Sequence, residues 1–188
     1  MEEIEVKFLD IDVAEVQQKL KILGAMKKYD RVFRDRIFDF PGWPLDADSS
    51  WLRLRDKGDK ITLSFKRRFG ISEAGDAGME ETEIVVDDFE RTSTLLLKLG
   101  MEIKFDEEKR RVHFELEEME VDIDTWPLIP SYLEIEAKNW KQVREMADKL
   151  GLVWSERKQC AAMQVFEKYG VREKDYRILA FDKQVKRS

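Results

Sequence analysis

The sequence predicts an α+β protein whose strands carry one apolar and one charged face, with helices packed on the apolar side. Three observations predict it. A strand and helix unit ending in Leu-Gly recurs, further alternating strands fall between the copies, and the charges on these strands are sorted into acidic and basic sets. At 188 residues, 43% of them apolar, the chain is long enough for one domain with a sizeable core.

The first unit opens with Ile4, Val6 and Phe8 alternating with Glu3, Glu5 and Lys7, the period of a strand whose charged groups all point one way. Asp10 and Asp12 are N-cap candidates; Val13, Val16, Leu20 and Leu23 follow at helical spacing, and Gly24 stands where a C-cap glycine belongs. The unit returns at Glu81-Thr82-Glu83-Ile84-Val85-Val86, with Asp87 and Asp88 as caps, Leu95, Leu96 and Leu99 in the helix, and then Gly100. It returns again at Glu134-Ile135-Glu136-Ala137-Lys138, followed by Val143, Ala147, Leu150 and Gly151. The repeat is too irregular for a solenoid and predicts a pseudo-symmetric single domain.

Between these units, Trp51-Leu52-Arg53-Leu54-Arg55 alternates, as do Ile61, Leu63 and Phe65 with Thr62, Ser64, Lys66 and Arg68; Lys57-Gly58-Asp59 reads as their hairpin turn. Val112, Phe114 and Leu116 alternate with Lys109, Arg111, His113 and Glu115, and Val121 and Ile123 alternate with Glu120, Asp122 and Asp124. Loops are expected at 41–50, 70–78 and 127–130. Met163, Val165, Phe166 and Tyr169 could close a helix before Gly170, which ends a main domain of residues 1–170; residues 171–188 are expected as a tail or short helix.

Charged residues make up 39% of the chain yet leave a net charge of only −6, so opposite charges must be sorted onto particular surfaces. A net acidic chain lacks the electrostatic footprint of a duplex-binding protein, and no nucleic-acid partner is expected. Cys160 is the only cysteine and His113 the only histidine, which excludes an intrachain disulfide, a Cys/His zinc cluster and a two-histidine metal motif. The first ten residues lack the basic and apolar regions of a secretory signal, and no stretch approaches the roughly 20 apolar residues of a membrane span. A cytoplasmic location without a membrane partner is therefore expected.

Residues two apart on a strand share a face at roughly 6.5 to 7 Å. Glu3 and Glu5, Glu81 and Glu83, and Glu134 and Glu136 are then neighbouring like charges, costly to bring together without a counter-ion. Mg²⁺ or Mn²⁺ suits carboxylate oxygens and shares its shell with phosphate, while Arg53, Arg55, Lys66, Arg68, Lys109 and Arg111 suit phosphate oxygens. Any half-exposed strand alternates apolar and charged residues, but an ordinary exposed face mixes its polar types, whereas here acidic and basic doublets are segregated by strand. A closed barrel with these faces inward and helices outside is the alternative geometry, tolerable when the interior is wet and ion-filled.

Glu3-Ile4-Glu5-Val6-Lys7 resembles the ExExK signature of CYTH domains, the triphosphate tunnel metalloenzymes. Leu52-Arg53-Leu54-Arg55 is similar to the family's LRxR strand, Thr62-Leu63-Ser64-Phe65-Lys66 to its TLxxK-like strand, Glu81-Thr82-Glu83 to its second ExE, Lys109-Arg110-Arg111 to its KxR strand, and Asp124 with Glu134-Ile135-Glu136 to its D…ExE close. The likeness spans about residues 3 to 166. It implies a closed, antiparallel eight-stranded β-barrel around a charged tunnel, with helices on the outside. It also implies Mg²⁺ or Mn²⁺ held by Glu3, Glu5, Glu134 and Glu136, with Asp122 or Asp124 and Glu83 close by, and triphosphate gripped by Lys7, Arg53, Arg55, Lys66, Lys109 and Arg111. Three departures stand out. Asp35-Arg36-Ile37-Phe38-Asp39 replaces a DxYFD-like motif, Lys158-Gln159-Cys160 replaces K-S-Y and leaves Lys158 as a further phosphate candidate, and Trp126-Pro127-Leu128-Ile129-Pro130 replaces a Gly-containing loop.

The function expected is metal-dependent hydrolysis of inorganic triphosphate, a nucleoside triphosphate or thiamine triphosphate, with Lys66, Glu5 and Arg55 as catalytic candidates and Lys66 as the base or water-positioning group. Adenylyl cyclisation of ATP in the same tunnel and non-catalytic polyphosphate binding are the alternatives. His113 reads as a tunnel-mouth or surface residue, Cys160 as packing, and Trp43, Trp51, Trp126, Trp140 and Trp154 as anchors. An exposed barrel face could support a homodimer.

Overall fold

The computed structural model describes residues 4–69, 71–72, 75–76 and 79–187. Glu3 lies outside the described residues, as do Gly70 and Gly78 of the expected loop.

All three Leu-Gly units fold as read. Strand β1 (Ile4–Phe8) feeds helix α1 (Val13–Ile22), where Asp12 accepts a hydrogen bond from the Glu15 amide at 3.0 Å and Gly24 follows at φ 80°. The charge of the last turn matches the helix dipole, with Lys19 and Lys21 at the C-terminal end. The remaining elements are β2 (Met26–Asp39), α2 (Pro44–Ala47), β3 (Ser50–Asp56), β4 (Ile61–Arg68), β5 (Ile71–Ser72), β6 (Gly75–Asp76), β7 (Met79–Val86), α3 (Phe89–Lys98), β8 (Glu102–Leu116), β9 (Met119–Thr125), β10 (Tyr132–Ala137), α4 (Trp140–Lys149), α5 (Ala162–Lys168), β11 (Tyr176–Leu179) and β12 (Gln184–Lys186). Asp88 caps α3 and Asn139 caps α4, each accepting from the amide three residues on; Gly100 and Gly151 take the positive φ that ends each helix.

The chain divides into two compact units, Met1–Arg31 with Lys109–Glu173, and Val32–Glu108 with Lys174–Ser188. Strands β2 and β8 are long enough, at 14 and 15 residues, to contribute to both. In the first unit, Val6, Phe8, Val112, Phe114, Val121, Ile123, Leu133 and Ile135 project from one side of the sheet onto Val16, Leu20, Val143, Met146 and Leu150 of α1 and α4. Except for Leu133 and Met146, these are apolar positions that the period-two and helical spacings marked. In the second unit, Phe38, Leu54, Phe89, Leu96 and Met101 form the core, with Leu52, Ile61 and Leu63 packed against it.

The hydrogen-bonded order is β1-β10-β9-β8-β2-β3-β4-β7, with β11 beside β8, β12 beside β11, and β5 paired only with β6. Among the described residues, this corrects the eight-stranded closed barrel to an antiparallel-dominated sheet of ten strands whose order is open. Closure needs a ladder between first and last strands; the outer edge of β1 instead meets Lys158, in a single bridge to Lys7. Residues 171–187 also differ from expectation. A 3-10 turn at Glu173–Asp175 leads into the β11–β12 hairpin, and β11 is docked on β8 in parallel through Ile178 and Leu179. Four residues are too few to show a period, and the partner lies about 70 residues away, beyond any local pattern. Among the described residues, no helix is long and apolar enough to cross a membrane.

Candidate functional site

Two charged faces carry the predicted residues, one in each unit. In the first unit, cross-strand register sets the polar side chains in rows. Lys7, Glu134, Asp122 and His113 stand opposite one another on β1, β10, β9 and β8. The next row is Glu5, Glu136, Glu120 and Glu115; on the other side, Tyr132, Asp124 and Arg111 form a shorter row. The period of two that put Leu133 and Ile135 into the core necessarily puts Tyr132, Glu134 and Glu136 on this face.

The inner rows are closely ion-paired. Arg111 donates from Nε and Nη2 to the two oxygens of Asp124 at 2.6 and 2.7 Å, from Nη2 to Glu134 at 2.6 Å, and pairs through Nη1 with Asp122 at 2.6 Å. Lys109 meets Asp124 at 3.0 Å, and Lys7 meets Glu134 at 3.1 Å and also Glu5. Asp124, fully buried, would have its pKa raised by burial alone; Lys109 and Arg111 override that and hold it below the usual carboxylate range. Glu134 goes the other way: burial and the nearby Asp124 raise it against the pull of Arg111 and Lys7. For Lys7, burial opposes the ammonium, but Glu134 and Glu5 outweigh it and the pKa rises. His113 Nδ1 lies 2.7 Å from Asp122, which raises the imidazole, and its ring stacks on Tyr29 at 4.8 Å. His113 is thus a buried member of the charged face, where a tunnel-mouth or surface residue was expected.

The outer row sets four glutamates side by side at the roughly 4.8 Å spacing of neighbouring strands, where like charges repel. Lys7 reaches Glu5, and Lys28 reaches Glu115 at 2.8 Å. An all-oxygen set of this kind fits a hard divalent cation by donor chemistry. Among the described residues, no three acidic side chains converge at metal-ligand distance, because the inner carboxylates face Arg111, Lys109 and Lys7. Lys158, paired backbone to backbone with Lys7 at 2.8 Å in both directions, extends the Lys7 row by register.

The second unit carries the basic face. Asp35, Arg55 and Thr62 form one row on β2, β3 and β4; Arg53, Ser64 and Glu83 fall in the next on β3, β4 and β7; Trp51, Lys66 and Glu81 follow. Arg55 is clamped by Asp35, its Nε donating at 2.6 Å and its Nη2 to the other oxygen. Lys66 pairs with Glu81 at 2.8 Å. At the hairpin end, burial depresses the Lys57 pKa, with Lys60, Arg55 and Arg53 adding to the effect and Glu83 opposing it. Arg53 differs from its neighbours. Its Nε is buried without a hydrogen-bond partner, and burial together with Arg55 pulls its pKa down although the group stays charged. Thr62 Oγ1 and Ser64 Oγ, on side chains with no exposed area, are likewise without partners. Arg68 stands exposed at the end of β4 opposite Met79, two residues beyond Lys66, and Glu83 is exposed on β7.

The sequence put Thr62, Ser64, Glu115 and Glu120 on the polar sides of alternating strands without marking them as site candidates, whereas Tyr132 and Asp35, just outside the alternating stretches, are added to these faces by the register. The second aspartate of the Asp35–Asp39 motif has a structural part. Asp39 is buried and accepts from the amides of Phe40, Leu45 and Asp46 at 2.7, 3.0 and 3.0 Å, which fixes the entry to α2.

The sequence model of the CYTH domain matches residues 1–175. None of the curated proteins matches the sequence. Among solved structures, the chain is similar to a protein of Pyrococcus horikoshii, at 23% identity over 87% of this chain and 99% of that one, with a TM-score of 0.65. It is similar to a candidate adenylate cyclase of Vibrio parahaemolyticus, at 14% identity over 88% and 97%, with a TM-score of 0.69. A Hippeastrum protein described as a candidate adenylyl cyclase with a dominant triphosphatase activity matches at 17% identity over 90% and 95%, with a TM-score of 0.60. At these identities the likeness is one of fold.

Proposed function

Because the chain belongs to the CYTH family, we propose that it is a cytoplasmic enzyme that hydrolyses a triphosphate-bearing small molecule with the help of Mg²⁺ or Mn²⁺. One observation carries this reading beyond membership: the buried Nε of Arg53, a charged donor with no partner, beside the ion-paired Arg55. A buried guanidinium N–H left without an acceptor is costly, and a phosphoryl oxygen supplies one with matching geometry. Arg53, Arg55, Lys66 and, at the exposed end, Arg68 would bind phosphoryl oxygens; Lys7, Lys109, Arg111 and Lys158 are the proposed contacts from the first unit. Catalysis of this class is chiefly positioning and charge neutralisation, which needs no nucleophile from the chain.

Glu5, Glu134 and Glu136, with Asp122, Asp124, Glu83 and Glu3, are the proposed carboxylates for the divalent ion. When bound, the ion would neutralise phosphoryl charge and activate water. Crystals grown with tripolyphosphate and Mg²⁺ would test the proposed contacts. Inorganic triphosphate, thiamine triphosphate and ATP, each incubated with Mg²⁺ or Mn²⁺ and assayed for phosphate and cyclic AMP, test the activity. Phosphate release is expected, falling roughly 100-fold or more in Arg55→Ala and Glu5→Ala. Cyclic AMP without phosphate would turn the reading to the cyclase, and binding without turnover to a carrier of polyphosphate.

A further inference from the structure

Thr62 and Ser64 sit in the middle of β4, fully buried on the charged side, and each hydroxyl lacks a hydrogen-bond partner. Their register places Arg55 opposite Thr62, and Arg53 opposite Ser64 on one flank with Glu83 on the other. Three buried polar atoms without partners, Arg53 Nε, Thr62 Oγ1 and Ser64 Oγ, therefore share one patch of two neighbouring strands. Buried hydroxyls are nearly always satisfied, and an unsatisfied one costs about as much as the bond it lacks. Valine and alanine would fill the same positions without that penalty. The two hydroxyls and the Arg53 Nε form a row of donor atoms, none of them hydrogen-bonded among the described residues.

We infer that Thr62 and Ser64 are substrate-binding residues, their hydroxyls donating to phosphoryl oxygens alongside Arg53. This deepens the proposed triphosphate site and rests on that reading. A hydroxyl adds what the cations of the site do not. Arg and Lys attract any anion over a range set by salt, whereas an O–H donor acts only at about 2.7 Å and only where an oxygen is placed to accept. The pair therefore contributes to position and to discrimination among anions, and its contribution is insensitive to ionic strength. The same atoms weaken the empty protein, because their hydrogen bonds are completed only with ligand.

The two effects have opposite signs, and that makes the inference testable. Thr62→Val and Ser64→Ala are measured for thermal stability without ligand, and for affinity by calorimetry with inorganic tripolyphosphate in 50 and 300 mM salt. Each variant is expected to be at least as stable as the parent and to bind roughly ten-fold more weakly at both salt concentrations, since a hydrogen bond to a charged group is lost. Arg53→Met serves as the contrast, with a loss that shrinks at high salt. Parent protein that binds no tripolyphosphate would overturn the triphosphate reading and this inference with it. Parent protein that binds while both hydroxyl variants bind equally well would overturn the inference alone. Variants that lose stability and keep affinity would show that the hydroxyls serve the fold.

Discussion

Replacing Arg111 with alanine removes the group on which the acidic face of the first unit is organised. Its guanidinium bonds to Asp124 at 2.6 and 2.7 Å, Asp122 at 2.6 Å and Glu134 at 2.6 Å, and these carboxylates are all buried. After the change, Asp124 keeps Lys109, Glu134 keeps Lys7 and Asp122 keeps His113, but each loses its shortest charged contact. Leaving a buried pair without one partner costs about 3–5 kcal/mol, which for a chain of this length lowers the melting temperature by roughly 6 to 20 °C. The deficit depends on pH. Glu134 has a folded-state pKa above its ordinary 4.5, so its charged form weakens the fold at neutral pH and proton uptake relieves this as pH falls. Asp124, held below 3.8, contributes stability above that value and loses it as pH falls through the folded value. Removing Arg111 raises Glu134 further and shrinks the Asp124 contribution, so the gap to the parent should be widest at pH 8 and narrow toward pH 4. Calorimetric melting of both proteins across that range, in EDTA and again in 10 mM Mg²⁺, measures it; Mg²⁺ should recover part of the loss in the variant. A variant within about 0.5 kcal/mol of the parent at pH 8 would show that these carboxylates do not depend on Arg111.

Two further outcomes follow from other polar pairs. The Arg110 hydrogen bonds hold Asp30 down at about 2 from an ordinary 3.8, so the pair stabilises the fold fully above pH 4 and loses that contribution as pH falls toward 2. With Arg110 53% exposed, Asp30→Asn should cost about 1 kcal/mol at pH 7 in urea denaturation, with the difference gone near pH 2; a gap that persists there sinks the assignment. Tyr132→Phe removes the acceptor of the Trp126 indole N–H, 2.9 Å away and buried, and should cost about 1–3 kcal/mol. An unchanged urea midpoint would mean that the indole finds another acceptor.

The faces of the strands were legible because they repeat every two residues: Glu134 cannot join the polar side without Leu133 and Ile135 joining the core. Helix ends were equally legible, since Asp12, Asp88 and the three glycines act over a few residues. What escaped depends on partners far along the chain. The pairing of β11 with β8 is one case; the burial of His113 between Tyr29 and Asp122 is another. The charged faces were legible as sets of residues, but not the mutual pairing within them. Nothing local says that Lys66 will meet Glu81, or that Arg55 will be held by Asp35 while the Arg53 Nε has no acceptor among the described residues. Hydroxyls were overlooked for a related reason: a threonine or serine on a polar face looks ordinary until its burial is known.

The bridge between Lys7 and Lys158 bears on how the chain is made. Strand β1 takes β10 on one edge and residue 158 on the other, so both of its neighbours are synthesised far later than itself. With about 130 residues separating β1 from β10 and roughly 5–20 residues added per second, the strand waits on the order of ten seconds before any partner emerges. During that interval Ile4, Val6 and Phe8 sit in an unpaired segment of the kind that recruits other chains. Glu5 and Lys7, placed between them, keep the nascent strand charged at alternate positions. The same side chains that are proposed to meet phosphate and metal would thus act earlier, as gatekeepers of a strand that must remain soluble until β10 and residue 158 arrive.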